Sequence, residues 1–110
     1  MKTLLWLDDI RDPKKSNWIL IWATDFIDSN IVWVKNYDQF VSWIEKNGLP
    51  DKISFDHDLG EELTGYDCAK WLVNWCLDGS RKIPNFGVHS ANPVGSVNIK
   101  YLLNNAAKYI

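Results

Sequence analysis

One hundred and ten residues make a single domain, 1–110, with no room for separate catalytic and regulatory units. Hydrophobic residues make up 46% of it, including seven Trp, four Tyr and four Phe, which excludes a disordered chain. Lys and Arg number 12 against 14 Asp and Glu, and a net charge of −2 speaks against a basic glove for a long nucleic acid.

The acids are lopsided: eleven Asp against three Glu. Asp collects in turns, caps and metal sites, so the chemistry is expected in the loops. No apolar run approaches the ~18 residues of a membrane span, so no membrane partner is expected. The start, Met1 to Leu7, runs straight into Asp8-Asp9 and lacks the longer apolar core and small-residue cleavage site of a signal peptide. The expected location is the cytoplasm. Cys68 and Cys76, on one helix face but ~12 Å apart along its axis, are too far apart for a disulfide and read as reduced core residues.

Along the chain, Thr3–Leu7 is a short apolar run of the kind that forms a buried strand. Asp12 to Asn17 is a polar loop. Trp18–Ile27 is apolar on every side and is read as a helix, although periodicity alone also allows a strand. Ile31–Val34 is a second strand, and Tyr37–Lys46 is a helix closed by Asn47-Gly48. Ile53–Asp56 is a third strand leading into His57-Asp58-Leu59-Gly60. A helix from Thr64 or Gly65 to Leu77 places Cys68, Ala69, Leu72, Trp75 and Cys76 on one face. Phe86–His89 is the fourth strand, Ser90–Gly95 a loop, and Val97–Tyr109 the last helix.

Strand and helix alternate, which predicts an α/β fold with a parallel sheet and helices on both faces. Ligands of such sheets bind beyond the carboxyl ends of the strands. Strand one ends in Asp8-Asp9, strand three in Asp56-His57-Asp58 and strand four in His89-Ser90; strand two ends blandly in Lys35-Asn36. A strand order of 2-1-3-4 makes the three polar ends neighbours. Converging carboxylates repel unless a cation neutralises them, so Asp8, Asp9 and Asp56 are read as ligands of Mg²⁺ or Mn²⁺ rather than as solvated loop acids. His57 and His89 are candidate acid and base, against the plainer reading that each bonds a nearby Asp or carbonyl. Asp58 is either a further ligand or the partner that orients a histidine. Arg11 can clamp a phosphate through its guanidinium, and the loop carrying Ser90, Asn92 and Gly95 offers a hydroxyl, an amide and backbone N–H groups to the same anion. Trp6, Trp33, Trp43, Trp71 and Trp75 are assigned to the core.

The Asp pair after strand one, the Asp after strand three and the Ser after strand four resemble the phosphoacceptor pocket of response-regulator receivers. The flavodoxin-like receiver fold, however, carries a fifth strand with a lysine, which these residues lack. The chain is more similar to the stand-alone cyclic-phosphate processing receiver domains of bacteria and phages. The segments that carry the likeness are Leu7-Asp8-Asp9-Ile10-Arg11-Asp12-Pro13, Ser54-Phe55-Asp56-His57-Asp58-Leu59-Gly60, Gly65-Tyr66-Asp67 and Val88-His89-Ser90-Ala91-Asn92-Pro93-Val94-Gly95. The resemblance covers residues 3 to 108. It implies a three-layer fold with a four-stranded sheet and hydrolysis of cyclic phosphates on nucleotides, ADP-ribose or RNA ends.

The combined expectation is a small metal-dependent phosphoesterase acting on a nucleotide-type cyclic phosphate. One rival is a protein that sequesters a cyclic nucleotide without cleaving it, as in phage counter-defence. The other is a signalling receiver phosphorylated on Asp56. The oligomeric state is left open.

Overall fold

The computed structural model describes residues 2–15 and 30–109. Four strands form one parallel sheet: β1 (Thr3–Leu7), β2 (Asn30–Val34), β3 (Lys52–Phe55) and β4 (Asn85–Val88), in the order β2-β1-β3-β4. Three α-helices accompany them among the described residues: α1 (Tyr37–Asn47), α2 (Gly65–Asp78) and α3 (Pro93–Ala107). This is a receiver-like α/β fold, and the predicted strand order holds.

Strand alternation splits the sheet into two faces. Leu5, Leu7, Ile53, Phe55 and Val88 point to the face covered by the helices, where Phe40 and Ile44 of α1, Leu72 and Cys76 of α2, and Ile99 and Leu103 of α3 meet them. Leu4 and Trp6, with Ile31 and Trp33 beside them, line the opposite face. The three described helices thus form one layer. The helix expected at Trp18–Ile27 lies outside the described residues.

Local chemistry sets the helix ends. Asn36 caps α1 by accepting from the Gln39 amide, and the Gly48 amide closes the helix on the Ile44 carbonyl at 2.8 Å. Thr64 and Asp67 make a reciprocal capping box at the start of α2. The last helix begins at Pro93, four residues before the expected Val97, and ends at Ala107 rather than Tyr109. Asn92 accepts from the Gly95 amide at 3.0 Å and Pro93 supplies a helical φ without needing a donor, so Val94 to Ser96 are helical rather than loop. Two predicted strands also end one residue early: Asp56 and His89 stand just past β3 and β4. Cys68 and Cys76 are buried free thiols, as expected. No helix among the described residues is long and apolar enough to cross a membrane.

The start of α2 is pressed against the end of β3. The Gly65 amide donates to the His57 carbonyl at 2.7 Å, and a Cβ at Gly65 would overlap the Asp56 carbonyl group. Only glycine fits there. Gly65→Ala is expected to cost about 3 kcal/mol in urea unfolding, at the upper end of overpacking penalties, because backbone rather than a flexible side chain must give way. An unchanged midpoint would show that this approach is not rigid.

Candidate functional site

Backbone pairing runs one residue past the strands. Asp8 N donates to Val34 O at 3.1 Å, Asp56 N to Leu7 O at 2.9 Å and His89 N to Phe55 O at 2.9 Å. The register therefore places Asp8, Asp56 and His89 side by side at the carboxyl edge of the sheet. Side-chain oxygens of Asp8, Asp9 and Asp56 come within 4.8 Å of one another, a spacing at which three carboxylates can share one cation.

Asp8 is completely buried. Its Oδ1 accepts from the amides of Ile10, at 3.0 Å, and Arg11, at 2.8 Å. That double acceptance folds residues 8–11 into a tight turn. Two indoles anchor the turn: Trp33 Nε1 donates to the Asp8 carbonyl at 2.7 Å and Trp6 Nε1 to the Arg11 carbonyl at 3.0 Å. Trp6 and Trp33 pack in the core as expected, and their N–H groups also hold the site loop.

His89 is buried, with its ring stacked on Trp6 at 3.8 Å between centroids and 6° between planes. Nε2 lies 3.0 Å from Asp8 Oδ2 and Nδ1 lies 2.7 Å from Ser54 Oγ. Burial, aided by the nearby Arg11 charge and opposed by Asp8, holds its pKa down at about 4. The ring is therefore neutral at pH 7. With its single proton on Nε2, the ring donates to Asp8 Oδ2 and accepts the Ser54 hydroxyl at Nδ1. Both nitrogens are occupied below the surface. His89 stands as a group that positions Asp8, and the expected free acid or base is not what this geometry presents.

A cavity of about 300 Å³ opens above these residues. Asp9, Arg11, Asp56, Asp58 and Ser90 line it, together with Ile10, Gly60 and Ala91. Gly60 has φ +69°, and a Cβ there would come 3.0 Å from Asp9 Oδ2, so this glycine both makes the turn and leaves Asp9 room. Arg11 Nη1 donates to the His89 carbonyl at 3.2 Å, which ties β1's loop to β4's end and holds the guanidinium at the cavity. Ser90 Oγ accepts from the Asn92 amide at 3.0 Å, leaving its own hydrogen to donate elsewhere.

His57, Asn92 and Gly95 form a second group that is not part of the cavity's lining. His57 Nδ1 lies 3.0 Å from Asp58 Oδ1. Its ring lies over Gly95, where a Cβ would overlap it. The Asn92 amide is oriented by its capping bond to the Gly95 amide, so Nδ2 faces Asp58 Oδ2, at a long 3.5 Å. Asn92 and Gly95, expected to hold phosphate, are thus engaged with each other and with the His57–Asp58 pair. The Asp58 side chain remains 69% exposed and lines the cavity.

Ser54 stands in one of the segments that carry the family likeness but has no role assigned from the sequence, although a hydroxyl between Ile53 and Phe55 is a usable signal. Ile10, Gly60 and Ala91 carry no chemical signature and were found only as cavity walls.

Asp56 is buried beside Asp8, and its carboxyl is pushed up to about 6, chiefly by desolvation and then by the Asp8 charge, with Arg11 opposing. A carboxylate held off ionisation this way is a mark of a functional site.

The family model described as "Cyclic-phosphate processing Receiver domain" matches residues 3–105. The chain belongs to that family of receiver-like domains. Among solved structures, a fusion of the yeast Spc42 trimeric coiled coil to another structure is similar, with a TM-score of 0.55 at 17% identity. The match covers 92% of this chain and 61% of that one. At that identity the likeness speaks for the fold alone. No curated protein matches.

The two buried groups give opposite pH dependences. Folding raises Asp56 from 3.8 to about 6, so the native state holds the extra proton and this contribution falls as pH rises through that window. Folding lowers His89 from 6.5 to about 4, so the unfolded state holds the extra proton and this contribution grows with pH. Asp56→Asn removes the first and leaves the second. In chelator, its stability is expected to climb more steeply than the parent's between about pH 4 and 6 and to exceed it at pH 7. Parallel curves from urea titrations would contradict the assignment.

Proposed function

We propose that this domain is a metal-dependent phosphoesterase that opens a cyclic phosphate on a nucleotide-type substrate. The observation that carries this reading is the convergence of Asp9 and Asp56 with Arg11, Asp58 and Ser90 around one small cavity at the sheet's carboxyl edge, with a carboxylate oxygen of the buried Asp8 within 4.8 Å of those of Asp9 and Asp56. The donor set is all carboxylate oxygen, the chemistry that suits Mg²⁺ or Mn²⁺. When bound, such an ion polarises a phosphoryl oxygen and acidifies water.

The chain's own residues supply the rest. Arg11 and the Ser90 hydroxyl hold the non-bridging phosphate oxygens. Asp58, lining the cavity and steadied by His57 Nδ1–H, accepts a proton from the attacking water. Water oxygen bonds to phosphorus, one ring P–O bond breaks, and Asp58 returns the proton to the departing oxygen, leaving a phosphomonoester. The sequence leaves Asp58 as either a further ligand or the partner that orients a histidine; in this proposal Asp58 carries the proton and the histidine orients it. His89 contributes at one remove, by fixing Asp8.

Two measurements test this. Mg²⁺ or Mn²⁺ at millimolar concentration is expected to raise the Tm of the parent, and Asp9→Asn with Asp56→Asn to abolish the shift, since an ion binding only the folded state stabilises it. No shift in the parent would argue against the ion site. Asp58→Asn is expected to lower kcat on a nucleoside cyclic phosphate by roughly 10²–10⁴ with KM little changed, the pattern of a group acting in the transition state. Full turnover by Asp58→Asn would remove it from proton transfer.

A further inference from the structure

The cavity of the carboxylate site shares a wall residue with a neighbouring space. Ser90 also lines a neighbouring space of about 450 Å³, bounded by Ser96 and Lys100 of α3 and by Phe86. That space shares Phe86, Lys100 and Lys52 with a further one of about 560 Å³, which reaches Asn104. Together they form a groove along the outer edge of β4, the strand that has no neighbour on that side among the described residues.

The groove's chemistry is the reverse of the site's. No acidic residue lines either part, although acids outnumber bases in the chain. Lys52 and Lys100, the hydroxyls of Ser90 and Ser96 and the amides of Asn85 and Asn104 line it instead, together with the half-buried Phe86, and the Ser96 hydroxyl donates to the Ser90 carbonyl at 3.5 Å. Lys100 is exposed and has no acidic partner among the described residues. A groove of donors leading away from a site that handles one phosphate is suited to a second anionic group on the same molecule.

We propose that the groove beginning at Ser90 and passing Ser96 and Lys100 binds a second phosphate of the substrate, beyond the one that reacts. This rests on the cyclic-phosphate reading and narrows it. The substrate class becomes a nucleotide with a phosphate-linked extension, in which the next phosphate meets Lys100.

The test compares a nucleoside carrying a cyclic phosphate across its ribose diol with a dinucleotide carrying the same group at its end, in turnover assays and by calorimetry. The dinucleotide is expected to show a KM about tenfold lower, the scale of one charge-assisted contact, and the advantage to shrink as salt rises. Lys100→Gln is expected to erase the advantage while leaving the mononucleotide's kcat and KM unchanged. Lys100→Arg is expected to keep it, which separates lost charge from lost packing. Equal KM values for the two substrates, or equal weakening of both by Lys100→Gln, would overturn the groove while leaving hydrolysis intact. Tighter, Lys100-dependent dinucleotide binding without turnover of either substrate would uphold the groove and overturn hydrolysis. Absence of binding by both would overturn both.

Discussion

Asp8 is a carboxylate with no exposed surface, and the site exists because its buried oxygens are satisfied from several directions. Oδ1 takes two backbone amides, and Oδ2 takes the His89 ring, which is itself met by Ser54. Leaving any buried charge unpaired is costly, so these partners are obligatory rather than decorative. The consequence reaches outward: the amides that bind Asp8 set the turn that carries Arg11, and Arg11 in turn reaches back to the carbonyl of His89. One buried acid thereby holds the ends of β1 and β4 in fixed relation, with Asp56 between them.

Three acids meet at the edge, and the neutral imidazole beside them brings no charge. Arg11 offsets part of the repulsion, yet Asp56 still resists ionisation. A divalent cation would complete the balance, and membership of the cyclic-phosphate processing receiver family makes a phosphate-handling role for the pocket coherent. In this reading acid–base work falls to Asp58, the carboxylate with access to the cavity, while both histidines serve carboxylates.

The fold was largely legible in the sequence because its signals are local. Apolar runs ending in Asp8-Asp9 and Asp56, helical spacing in Phe40, Val41 and Ile44, and the Asp78-Gly79 stop mark elements without help from tertiary contacts. The start of α3 was missed because Asn92-Pro93 reads equally well as a turn or as a cap followed by a first helical residue, and only the Asn92–Gly95 bond decides. The members of the site were legible too, since polar residues after apolar strands stand out. Their division of labour was not. Whether a strand-end histidine reaches the cavity or lies on a tryptophan depends on packing between residues 83 positions apart, Trp6 and His89, which no local pattern records. For the same reason the groove beside β4 was invisible: its lining comes from β3, β4 and α3, and each residue alone is ordinary.

The state of the His89 ring tests this account most directly. Nitrogen and carbon chemical shifts of the imidazole, followed by NMR in chelator across the acid range, report both tautomer and pKa. A neutral ring at pH 7 carrying its proton on Nε2, and charging only near pH 4, is the predicted result. A ring that titrates near 6.5, or that carries its neutral proton on Nδ1, would contradict the Ser54–His89–Asp8 chain and the positioning role built on it.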